Sequence, residues 1–278
     1  MKLLLLLLIS LGLFILSSHS GFFITLLMWI LFDFSQNQFQ FVQEYHQVSI
    51  WEHSSYLLLL VSNKDLAEGK TYSTNLDTFY QWFVGFSDAE SCFSIVPKKD
   101  TKGIINRFTF MFSIGLHIDD TDVLNTIQKL LDVGIVSKSN KECKFTVNDI
   151  EGIKKLIAIF DKYNLNTTKY LDYSDFKEAF NVYQDRGGVV TEELKKNILD
   201  LKNRMNTNRV SFDFPSHHEI KITSYWLLGL IEGEGSFNLF RNELKPTFGI
   251  CLSELQLPVI SKIKEFLVQN LGFDSNSM

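Results

Sequence analysis

The stretch "YWLLGLIEGEGSF" (Tyr225 to Phe237) begins with the apolar spacing of a helix and then carries two carboxylates. Glu232 and Glu234 fall where that helix should end. The end of a helix is its partially negative pole, so acids there typically cost a few tenths to ~1 kcal/mol. The placement therefore indicates that these acids serve something other than the stability of their own helix.

The same pattern occurs a second time in the chain. "WFVGFSDAESCF" (Trp82 to Phe93) matches "WLLGLIEGEGSF" (Trp226 to Phe237) at a shift of 144 residues. Downstream, "FSIGLHIDDTDVLNTIQKLL" (Phe112 to Leu131) matches "FGICLSELQLPVISKIKEFL" (Phe248 to Leu267) at a shift of 136. The difference falls in a turn, where length changes are tolerated. Two matched blocks in the same order indicate an internal duplication.

Each copy is predicted to run helix, strand, strand, helix. Residues 107–116 alternate strictly, which predicts an antiparallel strand with one buried and one mixed face. The buried face takes Phe108, Phe110, Phe112, Ile114 and Leu116. The other elements predicted in the first copy are a helix at 79–89, a strand at 92–96, a turn at 98–103, a helix at 120–131, a strand at 143–147, a helix at 149–165 and a helix at 191–205 that Thr191 caps.

Small residues stand four apart in the first helix of each copy, namely Gly85 and Ala89, then Gly229 and Gly233. This spacing places each pair on one helix face and lets two backbones approach closely. A membrane-type small-xxx-small contact is the alternative, but the stretches are short and end in acids. If the two faces pack about a pseudo-twofold axis, the second acids, Glu90 and Glu234, converge.

Two converging carboxylates repel each other unless a cation lies between them. A divalent metal such as Mg²⁺ suits them, because it is typically held by one or two carboxylates together with phosphates and water. A metal so placed can activate water and stabilise the leaving oxygen in phosphodiester cleavage.

Just past each helix stand Ser91 and Gly235. Glycine there commonly has a positive φ, so we expect Ser91 to adopt that conformation at a cost or to cap differently.

"FVGFSDAES" and "LLGLIEGEG" resemble the two signature helices of the LAGLIDADG homing endonucleases in their double-motif, single-chain form. "TTKYLDYSDFKEAF" (Thr167 to Phe180) and "LKNRMN" (Leu201 to Asn206) also resemble that family, so the likeness covers about residues 79–278. The resemblance implies that Glu90 and Glu234 are catalytic metal ligands for Mg²⁺ or Mn²⁺. It leaves Asp88 and Glu232 in a supporting or capping role, and it implies active-site lysines that the sequence does not place.

In that family, antiparallel strands form a saddle over the major groove of DNA. A two-stranded ribbon fits this groove, and Lys, Arg and Asn read base edges there. The resemblance implies these DNA-binding residues: Ser94, Lys98, Lys99, Lys102, Arg107, Thr109 and Ser113 in the first copy, and Ser236, Asn238, Asn242 and Thr247 in the second. Neighbouring positions on the same faces are Cys92, Val96, Met111, Phe240 and Gly249. Lys98, Lys99 and Lys102 lie in the turn predicted at 98–103, and lysines there are equally typical of a turn exposed to solvent.

The composition sets limits on these interpretations. Net charge is −5, which is not the basic balance typical of a nucleic-acid binder. Three widely separated cysteines argue against a disulfide framework or a zinc site and suit a reducing compartment. The apolar runs at 3–16 and 22–32 are typical of a signal or anchor segment, and residues 1–33 could contact a membrane. Alternatively, residues 29–49 resemble the early part of NADH dehydrogenase subunit 4 of fungal mitochondria, which implies an intron reading frame fused to its upstream exon.

We therefore predict an α+β fold of pseudo-twofold αββαββα repeats with antiparallel saddle sheets. The predicted divisions are a hydrophobic segment (1–60), a linker (61–78), a first repeat (79–205), a second linker (206–222) and a second repeat (223–278). The second repeat lacks counterparts of the first repeat's last strands and helix, so we expect it to be incomplete.

The leading functional hypothesis is a mitochondrial, intron-encoded endonuclease that cuts double-stranded DNA at an intron-insertion site and acts as a monomer. An RNA maturase that assists splicing of its own intron is the alternative from another class, with intron RNA as its partner. An inactive remnant is a third hypothesis. The retained acids at Glu90 and Glu234 favour the nuclease, because splicing assistance needs no metal pair.

Overall fold

A computed structural model describes residues 72–240 and 245–271. The predictions for residues 1–60, including the anchor, the membrane contact and the subunit 4 resemblance, lie outside these residues. Within the described ranges, no helix is long and apolar enough to cross a membrane. The three cysteines are free thiols: Cys143 is buried, and Cys92 and Cys251 are exposed.

The described chain alternates helices and antiparallel strands, which confirms the α+β class. The first repeat runs α1 (Tyr72–Glu90), β1 (Ser91–Lys99), β2 (Ile105–His117), α2 (Thr121–Leu131), β3 (Ile135–Lys138), β4 (Glu142–Val147) and α3 (Ile150–Lys162). Two further helices follow, α4 (Lys169–Gln184) and α5 (Glu192–Asn203). The second repeat contributes α6 (Ser224–Glu234), β5 (Gly235–Phe240), β6 (Lys245–Ile250) and α7 (Leu257–Leu271).

The first repeat builds a four-stranded antiparallel sheet in the order β1-β2-β4-β3. The β1–β2 register runs from Ser91 opposite Ile114 to Lys98 opposite Arg107, with an irregularity between Lys98 and Lys99. A bulge of this kind bends a strand and increases its local twist. The predicted alternation is confirmed on the inner face of β2, where Phe108, Phe110, Phe112 and Ile114 are buried.

An aromatic cluster fills the space between this sheet and the helices. The Phe93 ring lies 5.3 Å from the rings of Phe112 and Phe176 and 5.6 Å from that of Phe160. Such tilted and edge-on pairs contribute about 0.5–1.5 kcal/mol each beyond the area they bury. The helices are thereby fixed on one face of the sheet, which leaves the other face for binding.

Helix α1 begins earlier than the sequence predicted, at Tyr72 instead of Phe79. The added turns are stabilised by Asp77, whose carboxylate accepts hydrogen bonds from Gln81 Nε2 at 3.0 Å, from Lys162 Nζ at 3.0 Å and from the Tyr163 hydroxyl. These partners lie in α1 itself and at the end of α3, so a contact distant in sequence extends the helix. The predicted linker at 61–78 therefore overlaps the helix.

The described residues separate into two compact units. Residues 73–235 and 250–271 form the larger unit, which contains the four-stranded sheet and both motif helices. The smaller unit holds residues 236–249, whose described part is the β5–β6 ribbon.

Candidate active site

The two motif helices, α1 and α6, pack backbone against backbone through their glycines. A Cβ atom added to Gly85 would lie 1.9 Å from the carbonyl oxygen of Trp226, and one added to Gly229 would lie 2.1 Å from that of Trp82. A Cβ on Gly233 would lie 2.4 Å from the Cβ of Ala89. No side chain fits at these separations, so the four-residue spacing of small residues is the condition for this close packing.

The positive φ expected at Gly235 is wrong, and of the two alternatives expected for Ser91 the different cap is the one observed. Gly235 has φ −79° and ψ 143°, and Ser91 is not among the described residues with positive φ. Gly235 is instead required by space, because its Cβ would lie 2.4 Å from the carbonyl oxygen of Ile231. Ser91 donates a hydrogen bond from Oγ to the carbonyl oxygen of Ser87 at 2.6 Å, which satisfies one of the last carbonyls of α1.

Each motif tryptophan donates a hydrogen bond to the first acid of the other motif. Trp82 Nε1 lies 2.8 Å from Glu232 Oε2, and Trp226 Nε1 lies 2.8 Å from Asp88 Oδ2. This reciprocal pair has the symmetry that the duplication predicts. Burial raises the pKa of Glu232 to about 8, although the bond from Trp82 opposes the shift.

Asp88 uses its remaining acceptor capacity at the start of α4. It accepts from the backbone amides of Asn166 at 2.8 Å and Thr167 at 3.1 Å, and from the Thr167 hydroxyl at 2.6 Å. Burial raises the pKa of this carboxyl group, and the hydrogen bonds lower it in part. A carboxylate at a helix N-terminus is favourable, so the acid that is out of place at the end of α1 is well placed for α4.

The second acids, Glu90 and Glu234, lie at the ends of the two packed helices. Burial raises the pKa of Glu90, and the nearby charge of Glu234 raises it further, whereas Lys169 lowers it. A Cβ on Gly233 would lie 3.1 Å from Glu90 Oε1, so this carboxylate reaches the opposite helix. The structure thus brings together the two residues that the sequence predicted to converge.

Two further charged groups near Glu90 were missed by the sequence reasoning. Lys169, the first residue of α4, donates from Nζ to the carbonyl oxygen of Ser91 at 2.5 Å. Asp120 raises the pKa of Glu90 through its charge. Each residue had one signal in the sequence. Lys169 lies in the segment that resembles the family, and the shift of 136 residues aligns Asp120 with Gln256 of the second repeat.

The outer face of the four-stranded sheet carries most of the predicted DNA contacts of the first repeat. Lys98, Lys99, Lys102 and Arg107 are exposed, and Ser94 and Thr109 are partly exposed. The prediction that Ser113 binds DNA is wrong, because its exposure is 4% and it offers nothing to a base edge in this structure. The register adds Lys144, opposite Gly115, to the same face.

In the second repeat, Ser236 and Asn238 are exposed, and Asn238 Nδ2 donates to Ser236 Oγ at 2.9 Å. Asn242 and the side chain of Thr247 lie outside the described residues.

Comparison with known proteins agrees with this geometry. Residues 83–180 match the family model described as LAGLIDADG endonuclease. This part of the chain is therefore similar to LAGLIDADG endonucleases. A probable intron-encoded endonuclease, Cox1-I1b of Schizosaccharomyces pombe, is 31% identical over 68% of this chain and 50% of its own length. The mitochondrial protein RF1 of Saccharomyces cerevisiae is 28% identical over 76% of this chain and 43% of its own length.

A solved structure of the LAGLIDADG homing endonuclease I-GzeII in complex with its DNA target has the same fold, with a TM-score of 0.57 and 27% identity over 67% of this chain and 71% of that one. The chain spans about half the length of the relatives it matches by sequence. Endonucleases of this family are generally dependent on divalent metal ions.

Proposed function

We propose that this chain belongs to an intron-encoded homing endonuclease that cuts both strands of DNA at an intron-insertion site in the mitochondrion. The observation that carries the proposal is the convergence of Glu90 and Glu234 at the ends of two glycine-packed helices. Structural stability alone does not explain it, since both acids lie at the unfavourable pole of their helix and raise each other's electrostatic cost.

The residues present fit a divalent metal such as Mg²⁺ or Mn²⁺. The described residues contain no group of three or more His, Cys, Asp or Glu arranged as a complete metal cage. A pair of carboxylates is nevertheless the protein share that Mg²⁺ typically takes, with phosphate and water oxygens completing the shell. Held by Glu90 and Glu234, such a metal would supply Lewis-acid chemistry, that is, activation of water and stabilisation of the leaving oxygen. Lys169 holds a positive charge beside Glu90, where the charge of a scissile phosphate would be stabilised.

The outer sheet face supplies the DNA contacts. Lys98, Arg107 and Lys144 project from neighbouring strands, where they can reach phosphates or base edges of the major groove. The net charge of −5 belongs to the whole chain, whereas Lys98, Arg107 and Lys144 place positive charge locally on this face of the sheet.

The test is cleavage of joined-exon DNA in Mg²⁺ by the wild type and by Glu90→Gln and Glu234→Gln. Each variant should lose at least ~100-fold in rate while still binding DNA, because one metal-binding charge is removed. Glu219→Gln, at an exposed linker residue, is the control and should cut normally. Equal cutting by all four proteins would refute the metal-ligand assignment. Failure of the wild type to cut, together with binding of its own intron RNA, would favour the maturase instead.

A further inference from the structure

The N-terminus of helix α4 receives hydrogen-bond partners from distant parts of the chain. The first amides of a helix have no partner within the helix itself. Just before α4, the backbone amides of Asn166 and Thr167 donate to Asp88, and the amide of Lys169, the first residue of α4, donates to the Thr167 hydroxyl at 3.2 Å. The amide between these positions, that of Thr168, has a partner in the second repeat.

That partner is Gln256, immediately before helix α7. Its Oε1 accepts the amide hydrogen of Thr168 at 3.0 Å, and its Nε2 donates to the Thr168 hydroxyl at 2.5 Å. The oxygen and the nitrogen of one side-chain amide therefore both bind Thr168, the residue that immediately precedes α4. A two-point contact of this kind fixes orientation as well as position.

Thr168 directly precedes Lys169, whose Nζ donates to the carbonyl oxygen of Ser91 next to Glu90. A lysine side chain has four rotatable bonds and loses considerable freedom when it is held in one place. Its placement consequently depends on a fixed backbone at its own Cα. Asp88 fixes this backbone from the first repeat, and Gln256 fixes it from the second.

We propose that Gln256 is a positioning residue that holds Lys169 at the cleavage centre through Thr168. The catalytic part of this inference rests on the proposed endonuclease function. The duplication makes the role one-sided, because the residue aligned with Gln256 in the first repeat is Asp120, a carboxylate whose charge acts on Glu90 instead. The two repeats thus use the same position for different tasks.

The first experiment measures Lys169 in the protein without DNA. Wild type and Gln256→Ala are treated briefly with an acetylating reagent, and the modification rate of Lys169 is measured by peptide mass spectrometry. Lys177, which lies on the same helix and pairs with Asp161, is the internal reference. Loss of the contact should raise the relative rate of Lys169 ~5-fold, the factor that corresponds to one hydrogen bond of ordinary strength.

Two variants sharpen this result. Gln269→Ala, at an exposed glutamine on α7, should leave the rate unchanged, and Thr168→Ser, which keeps the hydroxyl, should also behave as the wild type. An unchanged rate in Gln256→Ala would overturn the positioning role, whether or not the protein cuts DNA.

The second experiment is a double-mutant cycle on cleavage. Gln256→Ala should lower kcat ~5-fold with KM unchanged, and it should lower kcat no further when combined with Lys169→Met. Equal falls in both backgrounds would show that Gln256 does not act through Lys169. A wild type that fails to cut DNA would refute the proposed function, and the acetylation result would still decide the positioning role.

Discussion

Replacing Gly229 with alanine should force the two motif helices apart. The added Cβ would lie 2.1 Å from the carbonyl oxygen of Trp82 and 2.6 Å from the backbone nitrogen of Phe86, whereas real Cβ contacts below 3.0 Å essentially never occur. Both obstacles are backbone atoms, which no side-chain rotation removes. The helices must therefore separate locally by about 1 Å to reach ordinary contact.

The cost follows from what this separation breaks. Overpacking in a well-packed core costs about 1–3 kcal/mol. A shift of about 1 Å stretches the two tryptophan bonds, now 2.8 Å each, beyond hydrogen-bond range, at about 1 kcal/mol each. Alanine returns about 1 kcal/mol through its helix propensity. We expect a net loss of about 2–4 kcal/mol in the free energy of unfolding.

Urea denaturation followed by far-UV circular dichroism measures this loss. The midpoint should fall by about 1 M with an unchanged slope, given slopes of about 2–3 kcal/mol/M for a protein of this size. Gly115→Ala is the matched control, because a Cβ there meets nothing within 4 Å, and its midpoint should stay near that of the wild type. A Gly229→Ala midpoint equal to that of the control would refute the close packing. Gly233→Ala should also destabilise, and Ala89→Gly should partly restore it by removing the atom it meets at 2.4 Å.

Four further substitutions test other parts of the fold. Ser87→Ala should raise the free energy of unfolding by about 1 kcal/mol in thermal or urea denaturation, because its buried hydroxyl has no partner among the described residues; a loss would contradict this. Arg209→Met should lower the free energy of unfolding by about 3 kcal/mol, because the Arg209 side chain is 10% exposed and pairs with two carboxylates of α4. Arg204→Met is the comparison: its side chain is 59% exposed, so the loss should be under about 1 kcal/mol. His218 stacks on Tyr170, and burial lowers the pKa of the histidine below 6.5. As the pH falls below 6.5, the unfolded chain therefore binds a proton at this histidine that the folded chain does not bind. Wild-type stability should therefore fall between pH 7.5 and 5.5 more than that of His218→Phe, and parallel declines would contradict the assignment.

The sequence predicted those features that repeat locally. Alternation in β2 identified Phe108, Phe110 and Phe112 as buried because a strand exposes its two faces in turn. Spacing of four identified the packed face of the motif helices for the same geometric reason. The duplication then related one helix to the other, so the convergence of their acids could be predicted before any distance was known.

The remaining features depend on contacts between distant residues. Lys169 meets Ser91 across 78 positions, and Thr168 meets Gln256 across 88, so no local pattern announces either contact. Ser113 shows the limit of alternation in another way. The pattern assigns a residue to a face of the sheet but does not say how completely that face is covered, and here the side chain is buried.

The crossed tryptophan bonds have a consequence for exchanging repeats between related proteins. Each repeat carries an acid whose indole donor belongs to the other repeat. In a chimera, one motif helix could come from a relative that lacks this tryptophan. The acid of the remaining native helix would then lose its indole hydrogen-bond donor, even if the transferred repeat folded correctly. Trp82 must therefore be transferred together with Glu232, and Trp226 together with Asp88. The two helices have to be exchanged as a pair although they lie in separate repeats.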